Sequence, residues 1–492
     1  MLEQTELVET GHKTMVAPLD SDRIEARTIE IGQQIFRDSR GGAFKVFNRN
    51  FWQNKFMELS MKDPLVKTQL FRFVDVLPVL VTDRQKLQHL LEYLSRPPSV
   101  ESWPGLLSLV SGLLRLPLFR QLLMRLSDRQ VRQMGNLFIV GRNATEALPK
   151  VLDLRSSGVG FTLDILGEAV VSDEESHHYQ SQYEDLIDQL GNESLNWTEV
   201  QPVDFSDLGP VPKVNVSLKL SAFDALLDPM ATDSSVERLK ARLIPVLRLA
   251  MQRGVFINFD MEQFSLNSLT RKVFRQLILM PEFKSYRHFG IVCQAYLRSA
   301  EEEVREWIQL ATERGTPFTI RLVKGAYWDY ETIIAEQNDW ESPVFSEKWE
   351  SDQAFESCAR LLLGSYPKIE MAAGSHNVRS LSYCLALAEE LKLPRNSFEI
   401  QMLYGMSGSF KDAILRRKLR LREYCPLGEM LPGLSYLVRR LLENTANDSF
   451  LRQSFMDRKA MELLLRRPGW HLERQKEEKK KERKNGKDLK SL

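Results

Sequence analysis

The spacing of apolar residues changes once along this chain, near Gly158, and the change divides it into two kinds of structure. Between about residues 21 and 133 apolar positions recur at three and four, as in 51–59, 66–77 and 87–94. That period places them on one face of a helix. Pro64, Pro78, Pro97, Pro98 and Pro104 punctuate these helices, and strand-like alternation is almost absent. The region therefore reads as an α-helical domain with a structural role.

Beyond Gly158 short apolar runs alternate with amphipathic segments. The runs fall at 158–163, 213–220, 255–260, 289–296, 318–323, 369–373, 398–403 and 419–424. Helical periods separate them at 235–253, 269–279, 300–314, 352–364, 378–391 and 409–417. Strands that alternate with helices imply right-handed crossovers and a parallel sheet. Eight such units are the number that closes a (β/α)8 barrel. An open doubly wound sheet competes, but no G-x-G-x-x-G follows the first strand. The expected fold is thus α/β: a (β/α)8 TIM-like barrel over 151–455, preceded by an N-terminal α-helical domain over 21–150. An arm at 1–20 and a C-terminal helix with a charged, lysine-rich tail over 456–492 complete the expected division.

Composition narrows the functional classes. A hydrophobic fraction of 43%, a charged fraction of 27% and a net charge of +1 are ordinary for a globular protein and give no reason to expect nucleic acid. No apolar run reaches the eighteen or so residues of a spanning helix. The polar N-terminus lacks the basic start and apolar core of a signal peptide, so a cytoplasmic location is expected. Cys293, Cys358, Cys384 and Cys425 form no CxxC pair and suit reduced, buried thiols.

Barrel enzymes gather their chemistry at the C-terminal ends of the strands. Here those ends carry Asp164 and Glu168, Lys219, Asp260 and Glu262, Gln294 and Tyr296, Arg321 with Lys324, Tyr327 and Trp328, Ser375-His376-Asn377, Gln401, and Tyr424. Polar groups at all eight ends are difficult to attribute to surface loops alone. In the segment 433–444, helical spacing puts Tyr436, Arg439, Arg440 and Glu443 on one face. Paired arginines match a carboxylate bidentately. With Lys219 as a third cation, the pattern suits a small anionic substrate under a lid helix, walled by Tyr424 and Tyr436. His376 lacks partners at metal-ligand spacing, so no metal is expected, and no G-x-S-x-G nucleophile motif occurs. Catalysis without either points to an organic cofactor.

Several of these residues occur in motifs of a known family. Arg-Leu-Val-Lys-Gly-Ala-Tyr-Trp at 321–328, Ser-His-Asn at 375–377 and Tyr-Leu-Val-Arg-Arg-Leu-Leu-Glu-Asn at 436–444 resemble the proline dehydrogenase domain of bacterial proline utilisation A. So do Asp164 to Glu168, Ser-Leu-Lys-Leu-Ser at 217–221, Phe-Glu-Ile-Gln-Met-Leu at 398–403 and Tyr424. Coverage extends over most of residues 40 to 455. The resemblance implies an FAD enzyme that oxidises L-proline to 1-pyrroline-5-carboxylate and passes electrons to a membrane quinone. It implies that Arg321 lies by the flavin, and that Gln294, Val323, Gly325, Trp328, Ser375, His376, Asn377, Gln401 and Glu443 hold FAD. Lys324, Ala326 and Phe450 are further candidates for that contact. Lys219, Arg439 and Arg440 would bind the substrate carboxylate, and Leu403, Tyr424 and Tyr436 would close over the ring. Asp260 belongs to the same site by this resemblance, Asp164 and Tyr327 are candidates for the substrate, and Glu168 with Arg439 matches a gating ion pair.

Departures qualify the match. About forty residues follow Phe450, too few for the aldehyde dehydrogenase half that usually follows the barrel, and a ribbon-helix-helix DNA-binding domain is missing. The expectation is a monofunctional enzyme or a detached half. A separate glutamate-semialdehyde dehydrogenase and a second copy of the chain are candidate partners, and quinone implies a peripheral membrane contact. Asp-Met-Glu-Gln at 260–263 replaces the usual Asp-Ala-Glu-Glu, and Ser375 a common threonine. Tyr424 leaves little room for a ring hydroxyl, which favours proline over hydroxyproline. Oxidation of hydroxyproline or another cyclic imino acid, and a non-catalytic barrel subunit, are the alternative readings.

Overall fold

The structure, a computed structural model, describes residues 20–40, 85, 88, 89, 92, 138–167, 170–406, 408–429 and 458–472. Most of the helical pattern between 41 and 133 lies outside them. Eight parallel strands close a barrel: β1 (Gly160–Ile165), β2 (Asn215–Leu218), β3 (Phe256–Phe259), β4 (Phe289–Gln294), β5 (Thr319–Val323), β6 (Glu370–Gly374), β7 (Phe398–Leu403) and β8 (Leu421–Leu427). Each strand pairs with its neighbours in sequence, and β1 pairs with β8 to complete the ring. All eight coincide with the expected runs to within a few residues. The loose segment before β2 holds a two-stranded hairpin, Phe205–Ser206 with Gly209–Pro210, which the apolar pattern is too short to register.

Strand register explains the polar residues inside these runs. Side chains alternate between the two faces of a strand. One set, including Phe161, Leu163, Val216, Leu218, Ile257, Phe259, Ile320 and Leu322, is fully buried in the continuous hydrophobic core. Each such side chain contributes about 1.5–3 kcal/mol by leaving water. The alternate set points into the barrel and is largely polar: Thr162 bonds Asn215 at 2.6 Å, and Arg321 reaches Ser217 at 3.0 Å. A barrel interior is ordinarily filled by branched apolar residues. Here it is filled by buried hydrogen-bonding groups, each of which needs a partner.

The helices cover the apolar face. In chain order they are α1 (Ser21–Arg40), α2 (Ala144–Ser156), α3 (Asp173–Ser194), α4 (Thr232–Arg253), α5 (Phe264–Ile278), α6 (Ala300–Arg314), α7 (Trp328–Gln337), α8 (Lys348–Gly364), α9 (Val378–Glu390), α10 (Gly408–Arg416) and α11 (Arg458–Leu464). Ser172 caps α3 by accepting from the Glu175 amide at 3.1 Å, and three acidic residues in the first turn favour its dipole. The helix therefore starts at Asp173 and runs for 22 residues. N-terminal α1 lies against α9 and α10. Arg379 on α9 fastens it: the buried guanidinium donates to Glu25 at 2.6 Å, to Glu356 at 2.8 Å and to the Leu465 carbonyl at 2.7 Å. One arginine thus joins α1, α8 and the segment after α11.

At the N-terminal end of the barrel, Glu399 accepts from Arg422 at 2.8 Å and from Gln401 at 2.6 Å. Burial would raise this carboxyl, but Arg422 and Arg420 bring it down to about 2. Gly160 leaves room for the Arg422 guanidinium, which a Cβ there would meet at 3.3 Å. Nearby, burial and then the Arg287 guanidinium depress His288 to about 4. The unfolded chain accordingly takes up a proton near pH 6.5 that the folded imidazole refuses until about pH 4, so stability falls as pH drops through this window. Replacing His288→Phe is expected to remove a pH-dependent loss on the order of 2 kcal/mol, after allowance for partial exposure. Urea unfolding of the two proteins between pH 7 and 4 measures it, and parallel curves would refute the assignment.

Candidate functional site

Polar groups converge where the barrel strands end at their C-terminal face, and Asp260, just past β3, is their centre. Its Oδ1 accepts from Arg321 Nη1 at 2.7 Å and from Asn258 Nδ2 at 3.0 Å; its Oδ2 accepts from the Tyr424 hydroxyl at 2.8 Å. Lys219 Nζ lies 4.0 Å from the same carboxylate and forms an ion pair with Asp164. The Arg321 guanidinium also stands 5.4 Å from the Tyr424 ring centroid. Residues from β1, β2, β3, β5 and β8 are therefore brought into one network, although sequence separates Asp164 from Tyr424 by most of the barrel.

The electrostatics follow from burial. Desolvation pushes the Asp164 carboxyl up, against the pull of Lys219. Burial alone would depress the Lys219 ammonium, but Asp164 and Asp260 raise it above its ordinary value, so it stays charged at neutral pH. Glu262 is also raised by burial, against bonds from the Ser221 hydroxyl and amide, the latter at 3.1 Å. That contact ties the loop after β2, which carries Lys219, to the loop after β3. Gln294 Nε2 donates to the Glu262 carbonyl at 3.3 Å and joins the same frame.

Several buried polar atoms at this end have no partner among the described residues: Arg321 Nε and Nη2 and Gln294 Oε1. Gln401, expected among the cofactor contacts, instead gives its amide to Glu399 and lines the N-terminal end of the barrel. Such atoms are costly unless a ligand or water satisfies them. Two guanidinium donors and an amide acceptor suit a planar group that both accepts and donates, as a flavin ring does. Among the described residues no cluster of His, Cys, Asp and Glu could hold a metal.

The stretch after β5 divides between site and scaffold. Val323 closes the strand, and its side chain explains the bare Gly374 on β6, where a Cβ would meet it at 2.9 Å. Lys324 pairs with Asp352 on α8, away from the Asp260 network, and burial lowers its pKa. Gly325 has φ +126° and lies on the Tyr296 ring, which a Cβ would meet at 2.5 Å; the close approach here is by an aromatic face of the protein itself. Ala326 is exposed and Tyr327 half-buried at the start of α7. Trp328, 40% exposed, opens that helix and donates its indole N–H to the Phe345 carbonyl at 2.7 Å. A helix in place of a polar loop was not expected there.

After β6, Ser375 Oγ accepts from the Asn377 amide at 3.0 Å, and Asn377 caps α9 through Ser380. His376 Nε2 accepts from the Leu403 amide at 2.9 Å, linking this turn to the end of β7. Glu168, Tyr436, Arg439, Arg440, Glu443 and Phe450 lie outside the described residues. Two partners escaped the sequence reading as functional groups: Asn258 and Ser217, which orient Asp260 and Arg321. Their signal was the period-two polar pattern within the strands, at 215, 217 and 219 and at 258 and 260.

Comparisons with known proteins identify the family and the fold. A family profile for "Proline dehydrogenase" matches residues 147–453, and one for "Proline utilization A N-terminal domain" matches 25–138. The chain is 32% identical over 335 residues to the bifunctional protein PutA of Escherichia coli, covering 66% of this chain and 24% of that protein. It is 28% identical over 321 residues to proline dehydrogenase 1 of Bacillus subtilis, covering 65% of this chain and 89% of that one. A crystal structure of proline utilization A from Bdellovibrio bacteriovorus, inactivated by N-propargylglycine, superimposes with a TM-score of 0.81 at 43% identity. That match covers 91% of this chain and 44% of the other. The chain thus spans less than half the length of these two PutA proteins.

The Asp260 network makes a stability prediction. Asp260→Ala leaves the Arg321 guanidinium buried without its carboxylate and is expected to cost about 3–5 kcal/mol. Tyr424→Phe removes one hydrogen bond to a charged group and should cost about 1.5–3 kcal/mol. Urea unfolding of both variants checks the order; an Asp260→Ala cost no greater than that of Tyr424→Phe would show that Arg321 does not depend on this carboxylate.

Proposed function

The chain belongs to the proline dehydrogenase family, and from that premise we propose that it oxidises L-proline to 1-pyrroline-5-carboxylate with FAD, electrons then leaving to a membrane quinone. The observation that carries this reading is the Asp164–Lys219–Asp260–Arg321–Tyr424 network at the barrel mouth, with unpartnered Arg321 donors inside it. Gln294 and Arg321 would hold the cofactor, with Val323, Gly325, Trp328 and the 375–377 turn as further contacts. Bound FAD supplies the hydride acceptor.

The chain's own residues account for the remaining requirements. Lys219, kept charged by Asp164 and Asp260, meets the substrate carboxylate, a charge-assisted contact. Arg439 and Arg440 would add the bidentate part of that grip. Asp260 fixes the Arg321 guanidinium by an ion pair and holds the Tyr424 phenol by its hydroxyl, so the ring faces the apolar part of the substrate without rotating away. Arg321 places fixed positive charge where the reaction deposits negative charge, and its orientation is set before the reaction begins. Enclosure by the βα loops excludes water and fixes the distance over which hydride moves. Among the described residues no helix is long and apolar enough to cross a membrane, so contact with quinone would be peripheral.

The purified protein is expected to be yellow, and anaerobic L-proline should bleach its visible flavin absorbance. Lys219→Ala should raise the proline concentration for half-bleaching by about 10- to 100-fold, the equivalent of one charged hydrogen bond. Colourless protein, or flavin that proline leaves oxidised, would overturn the proposal.

A further inference from the structure

The barrel has a second polar cavity at its opposite, N-terminal end, and we propose that it binds a small monovalent anion of halide size. About 30 Å³ of internal space lies there, lined among others by Arg287, His288, Glu370, Glu399, Arg420 and Arg422. The hairpin before β2 covers it, because Arg287 donates to the Leu208 carbonyl.

Charge decides the occupant. Glu370 pairs with Arg287 at 3.0 Å, while Glu399 pairs with Arg422 at 2.8 Å and Arg420 at 3.3 Å. In the lining three guanidiniums therefore face two carboxylates, and His288 is neutral at pH 7, which leaves the lining with one positive charge in excess; the nearby Asp207 carboxylate on the hairpin is taken up by the Tyr366 hydroxyl. Neither carboxylate is short of donors; the donors are short of acceptors. Arg287 Nε and Arg420 Nε are buried and find no partner among the described residues, and Arg420 is only 6% exposed. Its other nitrogens are committed to Glu399 and to the Asn396 carbonyl at 3.2 Å. Unmet guanidinium N–H groups in a site of net positive charge select an anion, since an anion answers both deficits at once.

Gln401 also lines the cavity and leaves its Oε1 unpartnered, with its amide nitrogen on Glu399. An acceptor there calls for water. The space is enough for two small occupants at about 10–15 Å³ each, so one anion on the arginine side and one water at the amide fit together.

Thermal unfolding of the full chain at constant pH and ionic strength, in sodium chloride against sodium gluconate, tests the proposal. The midpoint should rise with chloride and saturate, as stabilisation by a ligand that binds only the folded state requires. Arg420→Lys, which keeps the charge and removes the Nε donor, should abolish this dependence. Crystals soaked in bromide should show an anomalous peak beside Arg420. Equal midpoints in the two salts overturn the proposal, as does a midpoint that climbs without saturating, which would be a general salt effect. A bromide peak without chloride-dependent stability would mark an adventitious ion only and overturns it too. If Arg420→Lys fails to fold, the wild-type salt series and the bromide crystals still decide. None of these readouts requires flavin or proline, so failure here is separate from failure of the proposed activity.

Discussion

Asp260 is buried against a guanidinium, and much of the molecule is arranged so that this is tolerable. A carboxylate inside a barrel is stable only if cations and donors surround it. Arg321 from β5, Asn258 from β3, Tyr424 from β8 and, further off, Lys219 after β2 meet that need. Because these groups come from different strands, the network can form only when the barrel is closed in the correct register. A slip of one residue would turn each of them into the apolar layer beneath the helices. The same interaction that prepares the site therefore selects the register.

The polar interior has a second consequence. A barrel packed with branched apolar side chains would be held by its own core, whereas this one relies on the outer face, where aromatic and aliphatic residues meet the helices. The inner face contributes specificity instead: Thr162 with Asn215, Arg321 with Ser217 and Arg422 with Glu399 each fix a pair of positions across the barrel. Donors are left over at both ends, Arg321 at one and Arg287 and Arg420 at the other, but only at the second do guanidiniums outnumber the carboxylates that line the site.

Helix α1 shows how distant chain is bound into this scheme. Its Glu25 reaches Arg379, which also holds Glu356 and the Leu465 carbonyl, so the N-terminal helix and the segment after α11 rest on the same side chain. Apolar periodicity marks α1 as a helix but is silent on which face of the barrel receives it.

What the chain's own pattern determined was the sequence of most elements: eight strands at nearly their observed positions, six of the helices that follow them, and polar side chains at every strand end. Period and apolar content are local properties, and closely paired parallel strands preserve them. The tertiary structure alone decided which polar residues meet. Asn258 and Ser217 looked like interruptions of apolar strands until the pleat turned them inward beside Asp260 and Arg321. Lys324, three residues past an arginine of the network, pairs with Asp352 because the turn at Gly325 lies flat on Tyr296 and the strand has already ended. Partners of a buried charge lie across a closed barrel at separations of tens to hundreds of residues, and no local period encodes a distance that only closure creates.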